Sequence, residues 1–134
     1  MLTSEQVAVP QSVYAMNEDI YERGWTDGLP IVPPTDDLVQ AFMDYTGRDA
    51  GEVIAQIPPA GRIATLEDVA VNAVMAGCKP EYMPVLLAAI EAVMEPRFNI
   101  RGVQVTTNPI TPMLIINGPL RNQLGINGGT NALG

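Results

Sequence analysis

Residues 65–95 constrain the fold more than any other stretch of the chain. Thr65 is a helix N-cap, Glu67 and Asp68 put acids in the first turn, and Leu66, Val69, Ala70, Ala73 and Val74 recur at helical spacing. Gly77 stands where a left-handed residue just past a helix end belongs. Pro80 then opens a second helix in its first turn, where a missing N–H costs nothing. Met83, Leu86, Leu87, Ile90, Val93 and Met94 form the stripe of that helix, and Pro96 ends it. The spacing predicts a tight helical hairpin with Cys78-Lys79 at its corner.

The elements around this hairpin are shorter. Residues 1–10 read as a loose leader, and residues 11–24 as an amphipathic helix with Val13, Met16, Ile20 and Tyr21 on one face and Gly24 as its stop. Leu29–Val32 reads as a short buried strand ended by Pro33-Pro34. Thr35 caps a helix whose stripe is Leu38, Val39, Phe42 and Met43 and which Gly47 closes. Ala50–Ile57 fits either a helix or a strand, and Pro58-Pro59-Ala60-Gly61 a turn. Gly102–Thr107 alternates as a strand does, Pro112–Asn117 is a near-continuous apolar run of the kind a buried strand shows, and Gly118-Pro119 starts a short helix over Leu120–Leu124. The expected fold class is α/β, a small sheet with flanking helices and a central helical hairpin. Residues 1–24 form a leader and helix, and residues 25–134 form the α/β domain.

At 134 residues the chain is one domain or part of one. An apolar content of 47% is too high for disorder, and a charged content of 16% is low for a small free-standing domain, which points to further burial against a partner. Seven basic residues against fifteen acids, a net charge of −8, exclude nucleic-acid binding and attraction to an anionic membrane, both of which draw on Lys and Arg. The longest apolar runs, Val85–Ile90 and Met113–Ile116, fall far short of the ~20 residues of a membrane span, and residues 1–10 lack the apolar region of a signal peptide. A lone cysteine, Cys78, suits a reducing, cytoplasmic compartment. The chain has no histidine. That removes Ser-His-Asp and Cys-His mechanisms and histidine-ligated zinc from what this chain can do by itself.

The candidate catalytic groups are Cys78 and Glu81. Cys78 sits at or beside the start of the second hairpin helix, where free N–H groups and Lys79 favour a thiolate, and Glu81 is placed as a base beside it. A small residue filling a helix corner, and an acid favoured by the helix dipole, are the alternatives. The candidate substrate-binding residues are Asn72, on the apolar-striped first helix, Asn117 and Gly118, where a strand turns into a helix, and Asn127, Gly128, Gly129, Thr130 and Asn131, a glycine-rich loop with the composition of an anion-holding nest. That loop matches no phosphate-loop pattern, and an ordinary turn and a flexible end are the competing readings. Asp27 beside Trp25 and Gly28 is either a carboxylate for catalysis or a turn former, and Asn108 caps local backbone or faces a site. No metal-ligand cluster is visible.

Gly28–Thr35, Val71–Val85 with its Asn-Ala-Val-Met-Ala-Gly-Cys core, and Ile115–Pro119 with Leu124–Asn127 resemble a bacterial family associated with UGSC-type (seleno)proteins, fused to them or encoded beside them. The resemblance covers residues 25 to 134. The partner's thiol or selenol motif is absent here, so its redox role transfers to no residue of this chain. The resemblance implies a fold that continues past Asn-Ala-Leu-Gly, with a split gene, cleavage after Gly134 or a shortened chain as the explanations. Cleavage would create a new N-terminal nucleophile whose amine could act as base. The functional expectation is therefore a subunit or processed fragment of a multi-chain enzyme, acting with a second protein chain on a small anionic substrate by thiol-dependent redox or lyase chemistry. The alternative is a non-catalytic assembly subunit.

Overall fold

The computed structural model describes residues 2–132. Six α-helices and a two-stranded antiparallel sheet follow in the order α1 (Val13–Glu22), α2 (Asp36–Thr46), β1 (Val53–Ile57), β2 (Arg62–Thr65), α3 (Leu66–Met75), α4 (Met83–Met94), α5 (Ile100–Val105) and α6 (Pro119–Gln123), with a single 3₁₀ turn at Pro80–Tyr82. The class is α/β with a small sheet. Among the described residues no helix is long and apolar enough to cross a membrane.

Helix ends follow local chemistry. Thr65 and Asp68 form a reciprocal capping box, the Asp68 carboxylate accepting from the Thr65 N–H at 2.8 Å and the Thr65 hydroxyl accepting from the Asp68 N–H at 3.2 Å. At the other end of α3, Gly77 turns left-handed (φ 75°), its N–H reaching the Val74 carbonyl and the Cys78 N–H the Ala73 carbonyl. This paired Schellman closure absorbs two carbonyls that the helix end would leave free. Helix α1 ends the same way, with Gly24 bonded to Tyr21 and Trp25 to Ile20. In α2 the left-handed residue Gly47 bonds the Met43 carbonyl.

One cluster forms the core. Val39, Phe42 and Met43 of α2 meet Ala70, Ala73 and Val74 of α3, with Leu66 beneath them and Met83 and Leu87 of α4 closing the side. Both helices of the expected hairpin feed this cluster, but each has its own chief neighbour: α3 lies on α2, and α4 lies on β1. The sheet is a hairpin in register Ile57↔Arg62, Gln56↔Ile63 and Ala55↔Ala64, irregular between Val53 and Ala55, and the ambiguous stretch Ala50–Ile57 resolves as its first strand. Leu66 and Glu67 tie α3 to the chain before β1 through N–H bonds to the Glu52 and Ala50 carbonyls.

The sequence places strands where the structure has none. Leu29–Val32 runs extended with a single backbone bond, Val32 N–H to the Met75 carbonyl, and Leu29 is 70% exposed. Pro30, Pro33 and Pro34 deny it ladder donors. Gly102–Val105 belongs instead to helix α5, nucleated by Asn99, which adopts a left-handed conformation and accepts from the Gly102 N–H, and Thr106 and Thr107 follow the helix. A Cβ on Gly102 would stand 2.5 Å from Asn99 Nδ2 and would push the capping side chain aside. Pro112–Asn117 is extended but neither buried nor paired. The α1 face also shrinks: Ile20 is buried, whereas Val13 and Tyr21 are exposed. Leu38 likewise faces outwards on α2 at 42% exposure, leaving Val39, Phe42 and Met43 to hold the core.

This division of α2 is directly measurable. Phe42→Ala should cost about 3–5 kcal/mol in urea unfolding, and Leu38→Ala less than about 1 kcal/mol. Equal losses at the two positions would contradict the packing described.

Candidate functional site

Helix α3 does two jobs, one face turned to the core and one to the N-terminal segment. Leu66, Ala70, Ala73 and Val74 face α2 and α4. Glu67 is also buried, 2% exposed, although it is an acid. Its carboxylate is met by the N-terminal segment, which crosses the start of α3. The Thr3 N–H donates to Oε1 (3.0 Å) and Oε2 (2.9 Å), the Thr3 hydroxyl to Oε2 (2.9 Å), and the Ser4 N–H to Oε1 (2.9 Å). A buried charge is tolerable only when hydrogen-bonded in this way. Burial alone pushes the Glu67 carboxyl upward, but the bonds from Ser4 and Thr3 outweigh it and bring the group down to about 2. The segment read from sequence as a loose leader is thus docked, at least at Thr3 and Ser4.

The docked strap makes one wall of a cleft of about 620 Å³. Opposite it stand Ile20 and Trp25 at the end of α1, Val39 of α2, and Val71, Asn72 and Met75 of α3, with Pro33-Pro34 at one end. The Schellman closure of α1 explains the pairing of Ile20 with Trp25, because that motif brings the residue two past the cap against the helix face three before it. Arg23 steadies the indole, lying 5.4 Å from its centroid while its guanidinium binds Asp19 at 2.7 Å. Among the described residues, Glu5, Asp36 and Glu67 are the titratable groups of the lining, and no Lys or Arg lines it. Asp36 accepts from Gln6 Nε2 at 2.6 Å.

The ten residues selected from sequence do not converge. Asn72 alone lines the cleft, and its Nδ2 donates to the Asp68 carbonyl of its own helix at 2.8 Å. Cys78 is half-buried against the core cluster as the residue that follows the Gly77 turn. Burial pushes its thiol up, opposite to the thiolate expected from its position. The turn it precedes is a three-residue 3₁₀ segment rather than the first turn of α4, so the aligned N–H groups that lower a thiol's pKa are few. Glu81 is exposed in that turn and makes no hydrogen bond or ion pair among the described residues.

Asn117, Gly118 and the 127–131 loop lie at the far end of the chain, joined through α6. Gly118 is the residue before α6, in a positive-φ conformation with open space around it. The loop closes on itself: Asn127 Oδ1 accepts from the Gly129 N–H at 3.0 Å and its Nδ2 donates to the Thr130 carbonyl at 3.1 Å. Arg121 lies against Gly128, where a side chain would collide with its guanidinium, and Asn131 is left-handed (φ 59°). Asp27 is a turn residue, accepting from the Leu29 N–H at 3.3 Å. Among the described residues no group of three or more His, Cys, Asp or Glu could hold a metal ion.

The sequence reading missed Glu67, Thr3, Ser4 and Asp36 as partners in one construction. One signal was available for Glu67. It stands three before Ala70 and seven before Val74, on the buried stripe, where an ordinary first-turn acid would face outwards.

The clamp has a definite pH dependence. A carboxyl whose folded pKa lies below its ordinary 4.5, at about 2, stabilises the fold fully above pH 4.5 and loses that contribution as the pH falls towards 2. The shift corresponds to about 3 kcal/mol. Glu67→Gln should therefore unfold at lower urea than the parent at pH 6.5, and the gap should narrow towards pH 2.5. A gap that stays constant with pH would show that the carboxylate's charge is not what holds the strap.

No protein-family model, curated protein or solved structure matches this chain.

Proposed function

We propose that this chain is an assembly subunit of a multi-chain protein, in which residues 111–117 pair with the sheet edge of a second protein chain. One observation carries the reading. This stretch has the composition of a buried strand, runs extended, and leaves Met113, Leu114 and Ile115 at 65%, 53% and 73% exposure. No N–H or C=O of 111–117 is bonded to another described residue. An extended segment with free backbone donors and acceptors and apolar side chains on both faces is a template for strand addition, the backbone giving affinity and the side chains register. Phe98, Val105 and Ile110 in the preceding stretch are also exposed, at 39%, 65% and 54%. The low charged content, 16%, supports the same reading. So does the resemblance of residues 25–134 to a family found fused to, or encoded beside, another protein.

The proposal assigns chemistry to the assembled protein. An enzyme subunit using a Cys78 thiolate with Glu81 as base is the weaker version, because burial raises the thiol's pKa and Glu81 is exposed without a bond. An anionic substrate at the 127–131 loop would meet the Arg121 guanidinium, which lies against Gly128.

Hydrogen exchange tests the pairing. The amides of Met113–Ile116 should exchange without protection in the isolated chain and become protected in the complex purified from its native cells. Exchange that is unchanged in that complex would end the proposal. Thiol labelling tests the weaker version: at pH 7, Cys78 should react at least about tenfold more slowly than free cysteine. Rapid labelling that persists at low pH would restore the thiolate.

A further inference from the structure

The N-terminal cleft is a built cavity independent of the exposed strand. Its volume, about 620 Å³, lies in the range of small-molecule sites. Its deep walls are apolar, formed by Ile20, Val39, Val71 and Met75. The charged atoms of its lining are carboxylate oxygens, and Ser4, Gln6, Thr35 and Trp25 carry donors as well. Asp36 has one bond, from Gln6, which leaves most of its carboxylate lone pairs open. Glu5 makes no bond among the described residues, and Asn72, with one Nδ2 hydrogen on the Asp68 carbonyl, keeps its Oδ1 and its second N–H. Glu67 is different, because Thr3 and Ser4 already occupy both of its oxygens.

The charge balance decides what fits. Among the described residues the lining contains three carboxylates and neither Lys nor Arg. Arg23, which stacks on the Trp25 ring of the lining, is engaged with Asp19. The positive end of α2, which opens here, is offset by Asp36 and Asp37 in its first turn. An anion would meet repulsion without a counter-charge, whereas an ammonium, with three donors and no acceptor, matches the open carboxylate oxygens of Asp36 and Glu5. We propose that the cleft between the N-terminal strap and helices α1–α3 binds a small organic cation, an amine whose aromatic or branched aliphatic body fills the apolar walls and whose ammonium is held by Asp36 and Glu5.

The chain carries a single tryptophan, and it lines this cleft, so its fluorescence reports occupancy directly. The full chain is titrated with 2-phenylethylammonium, 2-phenylethanol and phenylacetate, and amide chemical shifts locate each probe. The cation should give a saturable change with shifts at Val71, Asn72 and Met75, and should bind about tenfold or more tighter than the alcohol or the carboxylate. Added salt should weaken the cation alone. Combining Glu5→Gln with Asp36→Asn should bring the cation's affinity down to that of the alcohol while leaving the alcohol's unchanged; Glu5 is exposed on the strap, so Glu5→Gln by itself serves as the version that keeps the fold. Alcohol binding as tight as the amine, tighter carboxylate binding, shifts located elsewhere, or no saturable change with any probe would each overturn the assignment. None of these outcomes depends on whether residues 111–117 have a partner.

Discussion

A buried carboxylate holds the N-terminal half of this molecule together. Glu67 sits among the core residues of α3 at a position where an unpaired charge would be prohibitive. Its two oxygens are satisfied by residues more than sixty positions earlier in the chain. Because the bonds come largely from backbone N–H groups of Thr3 and Ser4, they fix where the strap runs and not only which side chains it carries. The cleft follows from that. Without the clamp the segment bearing Ser4, Glu5 and Gln6 would have no reason to stand opposite Val71 and Met75, and the apolar face of α3 that turns away from the core would be open to water. A polar bond network therefore shapes an apolar space.

The helices on either side depend on terminations written into a few residues. Two Schellman closures, after α1 and after α3, each deliver one particular side chain to one place: Trp25 to the cleft and Cys78 to the core edge. The second of these gives a structural account of Cys78. The residue that follows the left-handed glycine in such a closure packs back on the helix, which suits a small, weakly polar side chain. Its proximity to Lys79 and Pro80 in the sequence carries no electrostatic advantage once the thiol is half-buried.

What the sequence made legible, and what it did not, follows from the range of the interactions involved. Helices α2, α3 and α4 were readable because caps, stripes and stop glycines lie within one or two turns of each other. The β1 strand was ambiguous because five residues cannot separate period two from period 3.6. The strand expected at 102–107 lost to a local event, the left-handed Asn99 with its bond to Gly102, and that at 29–32 to proline chemistry. Of the candidate site residues only Asn72 lies on the cleft. Glu67 escaped because its role is defined by a contact with Thr3 and Ser4, and no local pattern announces a bond across that separation. Asn127–Asn131 were recognisable as a loop, but not the Arg121 guanidinium resting against it.

The extended stretch 111–117 also bears on how the molecule avoids itself. A sticky edge of this kind can in principle recruit identical copies end upon end into fibrils. Pro109 and Pro112 bracket its start and interrupt the row of donors that such growth requires, and a net charge of −8 keeps like molecules apart in dilute buffer. The two prolines and the net charge thus both oppose self-addition along this segment. Concentrated salt, which screens the second of these safeguards but not the first, is the condition under which colloidal stability rests on two prolines.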